Sequence, residues 1–294
     1  MTSQDKKIWT VKDVLFWTSD YFSEKDITSP HLNAELLIAH VLECSRLDLY
    51  MKYDRPLAEK DLSHIKKLIK RRASHYPIQY ILGSTEFYGI SFFVEEGVLI
   101  PRPETEILVD AVISYIKVSD QKTWSLLDIG TGTGNIPIAI SKSFKNTEKD
   151  IHIDAVDVSE KALQLAGKNI DNLKIENITL LLSDIFNKVS ITYDCIISNP
   201  PYVSESEYKK LPKEVKDHEP REALFAKEDG LEFYHTILQN AEKYLKDGGR
   251  IFFEIGAYQN DGVSKLAKEY NYKIIDIKQD YNDFDRVLIL QKNT

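Results

Sequence analysis

Trp124-Ser125-Leu126-Leu127-Asp128-Ile129-Gly130-Thr131-Gly132-Thr133-Gly134 is the stretch that decides the fold. Its first six residues form an apolar run of the length expected for a buried strand. Three glycines at alternate positions follow at once, and then Ile136, Ile138, Ala139 and Ile140 continue as a helix. Strand, glycine turn and helix open an α/β fold of the nucleotide-binding kind, whose ligands sit at the carboxyl ends of the strands. Glycine lets the backbone approach a ligand closely and take φ values that other residues resist. Pro137 is compatible with this helix because it falls in the first turn.

Downstream, the pattern repeats with polar groups at each strand end. The strand Ile151 to Val158 carries Asp157, whose two carboxylate oxygens can accept from both hydroxyls of a ribose. A dinucleotide site in the G-x-G-x-x-G spacing would place a third glycine where Asn135 stands. The strand Ile178 to Leu182 runs into Ser183-Asp184-Ile185-Phe186, and Asp184 can accept from an adenine amino group. Tyr193 to Ser198 is the fourth strand. Gly248-Gly249 turns into a strand at Arg250 to Ile255, a helix covers Val263 to Glu269, and strands at Lys273 to Ile277 and Arg286 to Leu290 close a set of seven.

The fourth strand ends in Ile196-Ile197-Ser198-Asn199-Pro200-Pro201-Tyr202. Each proline fixes its own φ, lacks an N–H and forces extended geometry on the residue before it. Asn199 and the Pro200 carbonyl therefore point in pre-set directions, and two fixed oxygens can accept both hydrogens of an NH₂ group. Tyr202 can cover the flat face of the group that carries it. An amide or aromatic amine is a poor nucleophile because its lone pair is delocalised; gripping both N–H bonds turns that lone pair toward an electrophile. The plainer reading of the same residues is a strand stop and a turn.

Residues up to about Leu82 read as helical. Thr10 can cap a helix carrying Val11, Val14, Leu15 and Tyr21 or Phe22. Ser29-Pro30 is a cap and first-turn pair for a helix with Leu32, Leu36, Leu37, Ala39 and Val41 on its apolar side. A third helix places Leu62, Ile65, Leu68 and Ile69 on one face and Lys66, Lys67, Lys70, Arg71 and Arg72 on the other. Those charges form either a solvated face or a docking surface for an acidic partner or RNA. Phe87 to Val94 and Val98 to Ile100 read as a β-hairpin turning at Glu95-Glu96-Gly97. Pro101-Arg102-Pro103-Glu104-Thr105-Glu106 then leads into a helix with Ile107, Leu108, Ala111, Val112 and Ile116. Val203 to Glu228 reads as a polar, mobile segment, followed by a helix from Gly230 to Leu245.

With 294 residues, 43% hydrophobic and 29% charged, the chain has the composition of a soluble globular protein of one or two domains. Met1 to Thr10 is polar and lacks a secretory pattern, and no apolar run is long enough to span a bilayer. Cys44 and Cys195 make no disulfide framework, and seven scattered histidines offer no metal-ligand spacing. The expectation is a cytoplasmic, metal-free monomer. A net charge of -8 argues against affinity built on phosphate contacts and favours a protein substrate or a cationic cofactor.

The G-x-G-x-G spacing of Gly130 to Gly134 resembles motif I of methyltransferases, and Asn199-Pro200-Pro201-Tyr202 resembles the signature of those that modify planar nitrogens. The fold implied is α/β: a class I methyltransferase with a Rossmann-like seven-stranded sheet. Ile100-Pro101-Arg102-Pro103-Glu104-Thr105-Glu106, Glu219-Pro220-Arg221-Glu222-Ala223-Leu224, Asp229-Gly230-Leu231 and Glu254-Ile255-Gly256-Ala257-Tyr258-Gln259 narrow the resemblance to the HemK-type release factor glutamine methyltransferases.

That resemblance implies a helical substrate-recognition domain at 1–84, a hairpin linker at 85–100 and a methyltransferase domain at 101–294. It implies methyl transfer from S-adenosyl-L-methionine, leaving S-adenosyl-L-homocysteine, to the glutamine of the Gly-Gly-Gln motif in class I peptide-chain release factors. Carried over by position, Gly130, Thr131, Gly132, Thr133, Gly134, Asp157 and Asp184 bind the cofactor. Asn199, Pro200, Pro201 and Tyr202 form the catalytic and substrate site, Asn199 touching both ligands. Three positions depart from the family's pattern: Ile185 stands where a large aromatic is common, Phe225-Ala226-Lys227-Glu228 lacks the usual glycines, and no glycine lies near Asn282. The alternatives are an N-methyltransferase acting on adenine or guanine amino groups of nucleic acid, and a non-catalytic cofactor-binding or ribosome-docking module.

Overall fold

The computed structural model describes residues 8–293. Residues 1–7, read above as polar and without a leader, lie outside the described residues. The chain divides into two compact units, one of residues up to Gly83 together with Lys213–His218, the other of Ser84–Pro212 and everything from Glu219 onward.

The first unit is helical: α1 (Val11–Ser23), α2 (Pro30–Val41), α3 (Arg46–Met51), α4 (Glu59–Ala73) and α5 (Ile78–Leu82). Thr10 caps α1 in a reciprocal box with Asp13. The cap of α2 differs from expectation. Ser29 adopts left-handed backbone and its side chain caps nothing; instead the Asn33 amide donates to the carbonyls of Thr28 and Ser29. The buried face of α2 is rotated accordingly to Asn33, Ala34, Leu37 and Ile38, leaving Leu32 exposed. The basic face of α4 also needs one correction. Arg72 is 2% exposed; it donates to Asn33 Oδ1 at 2.7 Å and pairs with Glu214 at 2.7 Å. Counting back three and four residues from Arg72 reaches Ile69 and Leu68, so it sits on the apolar face by helical spacing. Lys66, Lys67, Lys70 and Arg71 remain exposed.

The second unit begins with a hairpin, β1 (Ser84–Phe87) and β2 (Ile90–Phe93), whose register pairs Phe87 with Ile90. The turn is Tyr88-Gly89, not Glu95-Glu96-Gly97. Both turn residues have positive φ, 53° and 65°, the geometry that matches the twist of two antiparallel strands. Helix α6 (Thr105–Val118) follows, and then the alternation that builds the sheet: β3 (Thr123–Ile129), α7 (Asn135–Phe144), β4 (Asp150–Asp157), α8 (Glu160–Leu173), β5 (Ile178–Leu182) and β6 (Tyr193–Ser198).

Short helices α9 (Glu205–Tyr208), α10 (Lys213–His218) and α11 (Lys227–Gly230) occupy the stretch read as mobile. Within the second unit, α9 is fixed by a Ser204–Glu207 capping box, and Arg221 pairs with Glu205 at 3.0 Å while lying over Phe225. The chain ends with α12 (Glu232–Ala241), β7 (Leu245–Glu254), α13 (Asn260–Glu269), β8 (Tyr272–Gln279) and β9 (Asp285–Lys292).

The seven strands lie in the order β5-β4-β3-β6-β7-β9-β8, all parallel except β9, which runs antiparallel to both neighbours. Side chains alternate across the sheet. Leu126, Cys195, Ile197 and Phe252 face α6 and α7, while Leu127, Ile196, Ile251 and Phe253 face α12 and α13. Strand order reverses between β3 and β6, and a parallel sheet opens a crevice at such a switch point. The glycine loop leaves β3 there and Asn199 leaves β6, with Ile129 and Ser198 in register. The Ser198 hydroxyl donates to the Ile129 carbonyl at 2.8 Å and staples the two strand ends together.

Candidate active site

The crevice is a cavity of about 410 Å³ wholly within the second unit. Gly130, Thr131, Gly132, Thr133, Asp157, Asp184, Asn199, Pro200 and Pro201 all line it. Gly134 and Tyr202 do not.

Gly130, Gly132 and Gly134 have φ of 77°, 56° and 78°, the left-handed region that side chains resist. The loop is held from both sides. Gly130 N and Thr131 N donate to the Val156 carbonyl. Gly132 N donates to Asp157 Oδ2 and Ser159 N to Oδ1, each at 2.9 Å. The fully buried Asn169 amide donates to the carbonyls of Thr133 and Phe93, tying the glycine loop to β2. Each Asp157 oxygen thus accepts a backbone N–H and keeps acceptor capacity for a ligand. Burial pushes its pKa up, the N–H groups of Ser159, Gly132 and Val158 pulling the other way. Gly134 caps α7, and a Cβ there would lie 3.3 Å from both Ala166 Cβ and Ile138 Cδ1; its smallness serves helix packing.

Asp128, at the foot of the loop, is fully buried, and neither carboxylate oxygen meets a hydrogen-bond donor. Burial pushes its pKa up to about 7, against the neighbouring Thr131 hydroxyl and with a further push from Asp157. A buried, unbalanced carboxyl beside a loop that admits ligands suits a cation in the cavity.

The Asn199 loop is bracketed from below. Gln259 Nε2 donates to the Tyr202 carbonyl at 2.8 Å and its Oε1 accepts from Gly256 N at 3.0 Å. Gly230 leaves room for this bracket: a Cβ would sit 2.2 Å from the Tyr202 oxygen and 2.3 Å from Gln259 Nε2. These bonds account for the Asp229-Gly230-Leu231 and Glu254-to-Gln259 segments. The Tyr202 ring packs against the core on the α12 side, and burial raises its pKa, so it does not cover an amide in the cavity as expected. Asn199 Nδ2 donates to Thr105 Oγ1 at 3.1 Å, leaving Oδ1 as the acceptor available to a ligand.

Sequence reasoning missed several lining residues. Arg102 is held by the buried Glu219 at 2.6 Å, which explains why Pro101-to-Glu106 and Glu219-to-Leu224 stand out together. Phe233 from α12, with Ile185 and Ile237, supplies apolar wall. Ile185 has φ of 48°, costly for a β-branched residue, and its carbonyl accepts from the Ser183 hydroxyl. Phe233 offers the aromatic surface that position 185 lacks. Its signal was weak because it lies on α12, far along the chain from the loop after β5 that carries Asp184.

Two family models match the chain, a "PrmC N-terminal domain" over residues 13–83 and a "Methyltransferase small domain" over residues 105–215. Among solved structures, one from Listeria monocytogenes described as a class I S-adenosylmethionine-dependent methyltransferase is 19% identical with a TM-score of 0.50, covering 97% of this chain and 87% of that one. A ribosomal protein L11 methylase from Lactobacillus delbrueckii is 17% identical with a TM-score of 0.50, covering 68% of this chain and 84% of that one. Fold and family model define a class I S-adenosylmethionine-dependent methyltransferase. A release factor glutamine methyltransferase from Rhodopirellula baltica is 42% identical over 99% of both chains, and another from Thermodesulfovibrio yellowstonii is 43% identical over 88% of this chain and 92% of its own. The chain belongs to the release factor glutamine methyltransferase family.

Proposed function

We propose that this protein transfers a methyl group from S-adenosyl-L-methionine to the side-chain amide nitrogen of the glutamine in the Gly-Gly-Gln motif of class I peptide-chain release factors. The observation that carries the reading is the Asn199 amide, whose NH₂ is engaged by Thr105 and whose oxygen is left for a substrate N–H. The Pro200 carbonyl, fixed by two successive prolines, is the second acceptor. Together they orient a planar amide and stabilise the charge that its nitrogen gains.

The cavity fits the cofactor. Three left-handed glycines let a ligand come close to the backbone. Asp157 keeps acceptor capacity for ribose hydroxyls, Asp184 can take an adenine amino group, and Phe233 and Ile185 give the ring an apolar wall. The uncompensated carboxyl of Asp128 favours a cation nearby. When bound, the cofactor supplies an electrophilic methyl group. The residues of this chain hold, orient and exclude water; no metal and no general base is required, since the amide sheds its proton only after gaining charge. The protein acts as a monomer on a protein substrate, without direct nucleic-acid binding, in the cytoplasm. Among the described residues no helix is long and apolar enough to cross a membrane.

The experiment offers labelled methyl donor with intact release factor, bulk RNA and DNA in parallel. Label on the Gly-Gly-Gln glutamine alone supports the reading; label on nucleic acid with an unmodified factor overturns it.

A further inference from the structure

The edge of the sheet that carries Asn199 extends beyond the cavity. Strands β6, β7 and β9 are consecutive neighbours, and β9 runs antiparallel to β7 with Glu254 in register with Val287. The turn that feeds β9 therefore stands at the same edge as Asn199. Two strand spacings separate them, roughly 10 Å, which about three residues of extended chain can cross.

That turn is stiff. Asp280 Oδ1 accepts from Asn282 N at 2.8 Å and from Phe284 N at 3.1 Å, and its Oδ2 accepts from Arg286 Nε at 2.7 Å. Asp283 takes left-handed backbone, with φ of 62°, which aspartate tolerates, so the turn closes without a glycine near Asn282. Tyr281 projects from it fully exposed. Tyr258, 83% exposed, meets Phe284 edge-on at 5.6 Å, and it directly precedes Gln259, which holds the Tyr202 carbonyl at 2.8 Å. The charge here is negative. Asp280 balances Arg286, whereas Asp285 accepts from the neutral amides of Asn260 and Gln279. The Asn260 bond brings the exposed Asp261 beside the exposed Asp283 turn. Bare tyrosine faces among carboxylates suit a cation, which the rings and the charges both attract.

We infer that Tyr258 and Tyr281, with Asp261, Asp283 and Asp285, dock a cationic stretch of the substrate protein, an Arg or Lys about three to five residues from the target glutamine. This rests on the reading of Asn199 given above. The substrate polypeptide is the occupant because the surface is continuous with the Asn199 loop through Gln259 and opposite to it in charge. Rings carried on a fixed turn meet that chain with little ordering cost.

The test uses the full chain and short Gly-Gly-Gln peptides that carry arginine, or its neutral isostere citrulline, at that spacing. The parent should show a KM about tenfold lower for the arginine peptide, the scale of two exposed cation–π contacts, and salt should erode the difference. Tyr258→Ala/Tyr281→Ala and Asp261→Asn/Asp283→Asn should each lose most of this preference, in KM rather than kcat, while Tyr258→Phe/Tyr281→Phe should keep it. Calorimetric cofactor affinity checks that each variant is folded. Equal KM for the two peptides in the parent, or a preference that survives the alanine pair, overturns the inference while leaving Asn199 in place. If neither peptide is methylated, the intact release factor decides: a KM raised in the alanine pair, more at low salt than at high, supports the inference, and a parental KM overturns it. Label on nucleic acid with an unmodified factor overturns the proposed function instead.

Discussion

Replacing Asp128 by asparagine removes a carboxylate from beneath the glycine loop and keeps its shape. Burial pushes Asp128 from 3.8 to about 7, roughly 3 pH units, which at about 1.4 kcal/mol per unit penalises the ionised fold by on the order of 4 kcal/mol. The sign follows from proton counting. Between about pH 4 and pH 7 the unfolded chain has lost this proton and the native protein retains it, so native stability falls as pH rises through that window and is level above it. Glu254 titrates in the same range, so the parent alone does not isolate Asp128; its difference from Asp128→Asn does. Urea unfolding without cofactor, from about pH 4 to pH 8, should show the variant gaining on the parent by several kcal/mol. Parallel stability curves across that range would refute the assignment of a buried, unbalanced carboxyl.

Asp157→Ala should weaken cofactor binding by about 1–3 kcal/mol, and Asp157→Asn should not rescue it, because each oxygen of Asp157 faces a backbone N–H and an amide must turn its NH₂ toward one of them; calorimetry with unchanged affinity in either variant contradicts this. Gly230→Ala should cost about 2–4 kcal/mol in stability and displace the Gln259 bracket, since φ is 87° and the new methyl would collide with the Tyr202 carbonyl; a parental melting curve and rate would show the bracket to be slack. Reversing Lys66, Lys67, Lys70 and Arg71 together should raise KM for the intact release factor in a salt-dependent way, with little effect on a short Gly-Gly-Gln peptide. Equal KM for the intact factor would make that face simply solvated.

Elements with strong periodicity were legible from sequence: the strand into Gly130, the helix capped by Thr10 and strands β8 and β9 stand where the pattern placed them, while β7 begins at Leu245, ahead of the Gly248-Gly249 pair read as the turn into it. The hairpin turn was misread because Tyr88-Gly89 and Glu95-Glu96-Gly97 both carry a turn-like glycine, and only tertiary packing of Phe87, Ile90 and Phe92 selects between them. Arg72 was read as surface because charge outweighs helical spacing in a sequence, while its burial depends on Asn33 and Glu214, far off in the chain. Tyr202 was expected over the substrate from its place beside two prolines. Its ring packs instead against the core on the α12 side. Thr105 and Phe233 were quoted or passed over without roles, for each meets the site from an element distant in the chain.

The central claim is that Asn199 and the Pro200 carbonyl grip the glutamine amide. Single-turnover methylation of intact release factor by Asn199→Ala, at saturating cofactor and with the modified residue mapped by mass, tests it most directly. The rate should fall by about 10²–10³, with most of the loss in the chemical step, and Asn199→Asp, which keeps an oxygen acceptor, should retain more activity than alanine. Asn199→Ala turning over at the parental rate would contradict the grip.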